Sequence, residues 1–141
     1  MKYNLPKIKT VVVSGYFDPL HVGHIELLEK AKALGDWLIV IVNNDKQAEL
    51  KKGKSFMSEE DRVKIISSLK AVDQAFLAID KDGSVCESLR QLNPDVFANG
   101  GDRLNDEIPE AKICEELDIE IIDGLGQKIR SSSEIVNSNN S

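Results

Sequence analysis

The chain has 141 residues, 41% hydrophobic, 30% charged and 5% aromatic. That length and balance suit one soluble globular domain with a single core, and they exclude a disordered or fibrous chain. The formal net charge of -6 argues against a general nucleic-acid binder, which needs surplus Lys and Arg against phosphate. It leaves room for a small anionic ligand held by a local basic patch.

The opening MKYNLPKIKT lacks the apolar stretch of a secretory signal, and no apolar run nears the roughly 20 residues that span a bilayer. A cytoplasmic protein without membrane association is expected. TVVVSG, residues 10–15, is a β-branched run ended by Gly15 and reads as a buried strand. After FDPLH, the stretch VGHIELLEKAKALGD places Ile25, Leu28 and Ala31, with Leu27 and Leu34, on a helical apolar face. Gly35 is its natural stop. WLIVIV, residues 37–42, is a second buried strand, followed by the polar stretch NNDKQAELKKGKS. From the capping Ser58, SEEDRVKIISSLKAV has acidic residues in its first turn and Val63, Ile66 and Leu69 on one side, so a second helix is predicted.

The alternation continues: QAFLAI as strand, SVCESLRQL as helix, DVFANGG as strand, PEAKICEEL as helix with Pro109 at its first position, and IEIID as strand. A short helix is predicted to start in SSSEIV. Strands alternating with helices imply an α/β fold, a Rossmann-like doubly wound parallel sheet of about five strands, in which ligands sit outside the carboxyl ends of the strands. Residues 1–136 form one predicted domain, and the polar NSNNS, residues 137–141, is an expected flexible C-terminal tail. Cys86 and Cys114 lie in separate predicted helices without metal-ligand spacing, as reduced buried thiols would.

Three apparent motifs fail on their own requirements. GKS at residues 53–55 would need a glycine five residues earlier for a P-loop, and Ala48 stands there. GLGQKI has Ile129 where a dinucleotide fingerprint needs its third glycine. His21 and His24, the only histidines, have neither an HExxH glutamate nor an evident third ligand, so no protein-bound metal is expected.

What remains is a strand ending at Gly15, a tight turn, and a helix beginning near His21 to Gly23. A helix start offers unpaired N–H donors and partial positive charge, a natural seat for phosphate. His21 and His24 share one face of the first turn, and Gly23 lets a bulky group come close to the backbone. Taken alone, the pair also fits a helix-start residue followed by a satisfied core histidine.

GYFDPLHVGH resembles the HxGH signature of the cytidylyltransferase-like nucleotidyltransferases, in the GxFDxxHxGH form of glycerol-3-phosphate cytidylyltransferases and heptose-phosphate adenylyltransferases. The resemblance runs from about Thr10 to Val136. VNNDKQAELKKGKSFMSEEDR resembles their substrate loop and following helix, NGGDR a glycine-rich strand end, and SSSEI the closing serine/threonine motif.

The resemblance implies a transferase in which a substrate phosphate oxygen attacks the α-phosphorus of CTP or ATP and releases pyrophosphate. Magnesium would be carried by the nucleotide. The acceptor would be a small phosphorylated alcohol or sugar such as glycerol 3-phosphate, with CTP the first expectation. ATP with a sugar phosphate or pantetheine phosphate, or a silent nucleotide-binding module, are the alternatives. By the same resemblance, His21, His24, Arg62 and Lys52 are catalytic. Gly15, Tyr16, Phe17, Asp18, Gly23, Gly100, Asp102, Ser131, Ser132 and Ser133 bind nucleotide, Asp18 by ordering the turn rather than as a base. Lys51, Lys52, Lys128 and Arg130 bind substrate, with Lys51 the register alternative to Lys52. A homodimer is implied as well. Two departures stand out: Tyr16 replaces a common Thr, and RTxGIST is absent, with Lys128 and Arg130 as basic substitutes.

Overall fold

Val11, Val12 and Val13 are at most 1% exposed, because their strand is covered on both faces. In the computed structural model, which describes residues 8–53, 55–100 and 109–125 with Lys52 through its backbone, the elements alternate. They are β1 (Thr10–Gly15), α1 (Val22–Lys32), β2 (Trp37–Val42), α2 (Asp45–Lys52), α3 (Glu59–Ser67), β3 (Gln74–Leu77), α4 (Cys86–Leu92), β4 (Val96–Ala98), α5 (Pro109–Leu117) and β5 (Glu120–Ile122). The strands form one parallel sheet in the order β3-β2-β1-β4-β5. This is a doubly wound, Rossmann-like sheet, as the alternation predicts.

The two faces divide the apolar residues by strand period. Val11, Val13, Leu38, Val40, Val42, Val96 and Ala98 meet Leu28 and Ala31 of α1 and Ile66 of α3. Val12, Ile39, Ile41 and Phe97 point the other way, onto Leu89 of α4 and Ile113 and Cys114 of α5. Continuous apolar strands are the consequence of burial on both sides. Neighbouring strands diverge in connection at β1 and β4: β1 runs on through α1 to β2 on one side, while β4 lies on its other side. A crevice opens at the carboxyl ends where such a reversal occurs.

The polar stretch after β2 contains a helix that its sequence does not announce. Asn44 caps α2 by accepting from the Gln47 N–H at 2.8 Å, and Gln47 Oε1 accepts from the Asn44 N–H at 3.0 Å. This reciprocal capping fixes the helix start. Among the described side chains of α2, Gln47 and Ala48 are the buried ones, so polar anchoring replaces an apolar stripe.

Both cysteines are free thiols. Burial pushes the Cys114 thiol up to about 11, with the Glu110 charge adding to it, and burial likewise raises Cys86. Neither has the lowered pKa of a nucleophile. Among the described residues, no helix is long and apolar enough to cross a membrane.

Candidate active site

At the carboxyl end of β1 the chain turns back on itself. Phe17 has φ of 53° and is 4% exposed, and its ring folds under the end of the strand. Gly15 makes this possible, since a Cβ there would lie 2.8 Å from the Phe17 ring. A left-handed backbone at a bulky residue is strained, and burial of the ring holds it in place. The Asp18–Pro19 peptide is cis.

His21 is the N-cap of α1 and His24 is its third helical residue. His21 Nδ1 accepts from the Gly23 N–H at 3.1 Å, and His24 Nδ1 accepts from the His21 N–H at 3.1 Å. Two imidazoles thus form a capping box, a task usually given to Ser and Glu. The consequence for chemistry is a fixed tautomer: with each Nδ1 accepting, the proton of a neutral ring must sit on Nε2, leaving two outward donors. The rings stack with centroids 3.9 Å apart, and His24 meets the edge of Phe17 at 5.1 Å. Burial lowers the His24 pKa below 6.5, and the neighbouring His21 charge lowers it further. A Cβ on Gly23 would come within 3.0 Å of the His21 ring. The bulky group that needs this glycine is therefore His21 itself.

A second layer holds this turn. Asp18 accepts from the N–H groups of Phe56 and Met57, at 2.6 and 2.8 Å, tying the turn to the segment that leads into α3. The expectation that Arg62 reaches the reacting phosphates meets a different geometry. Arg62 is 0% exposed. Its guanidinium donates to the carbonyls of Tyr16 (2.9 Å), Asn43 (2.6 Å) and Met57 (3.0 Å) and to Asp45 Oδ1 (2.8 Å). A planar fork can grip several acceptors at once, and here it joins the β1 turn, the end of β2, the start of α2 and the approach to α3. Desolvation raises the Asp45 pKa, but hydrogen bonds from Arg62, the Glu59 backbone and Ser55, with the Arg62 charge, outweigh it and hold the carboxyl below its ordinary range.

These elements enclose a cleft of about 750 Å³, within the usual size of small-ligand sites. Gly15, Tyr16, Phe17, Asp18, His21 and His24 from the β1 turn and α1 line it, with Asn43, Gln47 and Lys51 from the end of β2 and α2, and Val85, Asn99 and Glu110. Lys51 Nζ sits 4.8 Å above the Tyr16 ring, a cation–π contact that places the ammonium at the cleft. Burial raises the Tyr16 pKa, and the Arg62 charge opposes that rise. Gly100 follows Asn99 just past β4.

Four polar residues that line the cleft, Asn43, Gln47, Asn99 and Glu110, are not singled out by the sequence. Gln47 is fully buried, with Nε2 donating to the carbonyls of Asp82 and Ser84 at 2.8 Å and Oε1 accepting from Asn43 Nδ2 at 3.0 Å. Glu110 is 9% exposed and accepts from the Val85 N–H at 3.0 Å. Asn99 donates to Asp123 at 3.0 Å. Single polar residues at strand and helix ends carry no periodic signal; the clue available was position, since each follows a strand or opens a helix. The expectations for Asp102, Lys128, Arg130, Ser131, Ser132, Ser133 and the Lys52 side chain lie outside the described residues.

Similarity to known proteins agrees with this geometry. An FAD synthase of Ferroglobus placidus is 42% identical over 100 residues, which are 71% of this chain and 64% of that protein. The bifunctional protein HldE of Wolinella succinogenes is 37% identical over 131 residues, 91% of this chain and 26% of that protein. The chain thus spans less than two thirds of the length of these curated relatives. A lipopolysaccharide core biosynthesis protein from Thermoplasma volcanium superposes with a TM-score of 0.71 at 30% identity, covering 83% of this chain and 96% of that one. The profile of the cytidylyltransferase-like family matches residues 12–137, and with the sheet order and the paired histidines at the first helix start, the chain belongs to that family.

Proposed function

We propose that the protein transfers a nucleotidyl group from a nucleoside triphosphate to a small phosphorylated acceptor. An acceptor phosphate oxygen attacks the α-phosphorus, the bond from that phosphorus to the β-phosphate oxygen breaks, and pyrophosphate leaves. The observation that carries this reading is the pair of Nδ1 bonds that His21 and His24 accept at the start of α1, which leave each neutral ring its Nε2–H as a donor at the cleft.

The nucleophile arrives as an anion, so no protein base is required. What the site must supply is alignment and compensation of charge on phosphoryl oxygens. His21 and His24 donate to the triphosphate, and the helix start adds backbone dipoles. Lys51, held over Tyr16, takes the acceptor phosphate, with Lys52 as its neighbour in this role. Arg62 and Asp18 act through the turn: they fix Tyr16 and Phe17, whose backbone borders the phosphates with Gly15 and Gly23. Gly100, Asp102, Ser131, Ser132 and Ser133 are assigned to the nucleotide, and Lys128 and Arg130 to the substrate phosphates. Among the described residues there is no group of three or more metal-ligating side chains. Magnesium is assigned to the nucleoside triphosphate that carries it.

ATP leads as the nucleotide, because a relative is an FAD synthase, and FAD contains an adenylate joined through pyrophosphate to a flavin phosphate. CTP is the second reading, carried by the likeness of GYFDPLHVGH to the cytidylyl form. A pyrophosphate-release screen of ATP and CTP against flavin, sugar and polyol phosphates tests the proposal. Sustained release with a matched pair is expected, whereas silence across both nucleotides and all acceptors would overturn it.

A further inference from the structure

We infer that Asn99, oriented by Asp123, is a specificity-determining residue that selects the bound nucleoside through a hydrogen-bond donor. This deepens the nucleotide reading above and rests on it. Asn99 follows β4, and its backbone is fixed twice: its N–H donates to the Ile122 carbonyl at 2.8 Å, and its carbonyl accepts from the Leu125 N–H at 3.2 Å. Asn99 lines the cleft, and its Nδ2 donates to Asp123 Oδ1 at 3.0 Å.

A carboxylate only accepts, so Asp123 decides which way round the Asn99 amide sits. The nitrogen must point toward Asp123, and Oδ1 is left as the amide's free acceptor at the cleft. Asp123 Oδ2 is buried and, among the described residues, has no hydrogen-bond partner. A buried acceptor without a donor is costly.

The cleft lining therefore carries two kinds of group. His21 and His24 offer donors and the positive end of α1, which suit phosphate. Asn99 offers an acceptor backed by the Asp123 carboxylate, which repels phosphate and suits a ribose hydroxyl or an exocyclic amine. A nucleotide fits in one direction, with its phosphates at α1 and its nucleoside at β4 and β5. A site built to accept from a particular donor discriminates strongly against an analogue that lacks it.

Titration calorimetry on wild type, Asp123→Asn and Asn99→Leu separates the possibilities. ATP is compared with ITP, and CTP with UTP, for the amine; ATP is compared with 2′-deoxy and 3′-deoxy ATP for the hydroxyls. Wild type is expected to prefer the donor-bearing nucleotide by at least about 10-fold in one arm. Asp123→Asn frees the amide to turn, and Asn99→Leu removes the acceptor, so that ratio should fall toward unity in both. Thermal unfolding confirms that each variant is folded, and either one suffices for the comparison. Absence of a preference in wild type, or a preference unchanged in a folded variant, overturns the inference while leaving the nucleotide reading standing. Failure of wild type to bind any of these nucleotides overturns that reading itself.

Discussion

Arg62 and Tyr16, 46 residues apart in sequence, are joined by a 2.9 Å hydrogen bond from the buried guanidinium to the Tyr16 carbonyl. The same fork bonds Asn43, Met57 and Asp45, so one side chain sets the distance between the β1 turn and three other segments. Arg62→Ala strands those acceptors in a partly buried setting. A loss of about 3–5 kcal/mol is expected, the range for removing one partner of a buried charged pair. Arg62→Lys keeps the charge without the fork and should fall between. Urea unfolding of the two variants checks this; a loss under about 1 kcal/mol for the alanine would contradict the assigned role.

Asp45 predicts an acid limit to stability. Its folded pKa is depressed from the ordinary 3.8, so its contribution is fully present above that value and is lost as pH falls through the lower folded one. The same sign applies to Asp73, where burial opposes but Lys32 and the Leu38 N–H prevail. Denaturation midpoints measured from pH 5 to pH 2 should drop in this window, and less steeply in Asp45→Asn. An equal slope in that variant would remove Asp45 from the account.

His24 should titrate below 6.5, with burial the larger cause and the His21 charge the smaller. Linkage follows from the sign: a depressed imidazole stabilises the fold above its unfolded pKa, and this is lost as pH falls through the folded one. NMR titration of the ring should show the low midpoint in wild type and a rise toward 6.5 in His21→Gln. The rise should be incomplete, because burial remains. An unchanged midpoint would show that the stacked rings do not sense each other's charge.

Gly23→Ala isolates the seating of His21. The new Cβ would come within 3.0 Å of that ring, displacing Nδ1 from the Gly23 N–H. Loss of a cap costs about 1 kcal/mol, partly offset by the helix preference of alanine over glycine. Stability should therefore change little, while turnover falls at least about 10-fold as an outward donor is misdirected. Full activity in this variant would show that the ring's seat does not matter.

The strands and most helices were legible in the sequence because burial on both sheet faces forces continuous apolar runs, as in Val11 to Val13 and Leu38 to Val42. Helix α2 was not, since Asn44 and Gln47 anchor it through polar bonds that leave no apolar period. His21, Gly23 and His24 stood out by spacing, yet the reason for the glycine, the approach of the His21 ring, required geometry. Arg62 is singled out by the family resemblance, but its burial is invisible in the sequence because nothing local distinguishes an arginine facing solvent from one reaching 46 residues back. Glu110, Asn99 and Asp123 escaped notice for the same reason: their partners are distant in sequence.

The most direct test is steady-state pyrophosphate release by wild type and His24→Ala with the nucleotide and acceptor pair found by screening. The account predicts many turnovers for wild type and a fall of about 10²–10³-fold in the variant, with an unfolding midpoint lowered only by the few degrees that loss of a cap brings. Near-normal turnover in a folded His24→Ala protein would contradict the claim that the paired imidazoles carry the phosphate chemistry.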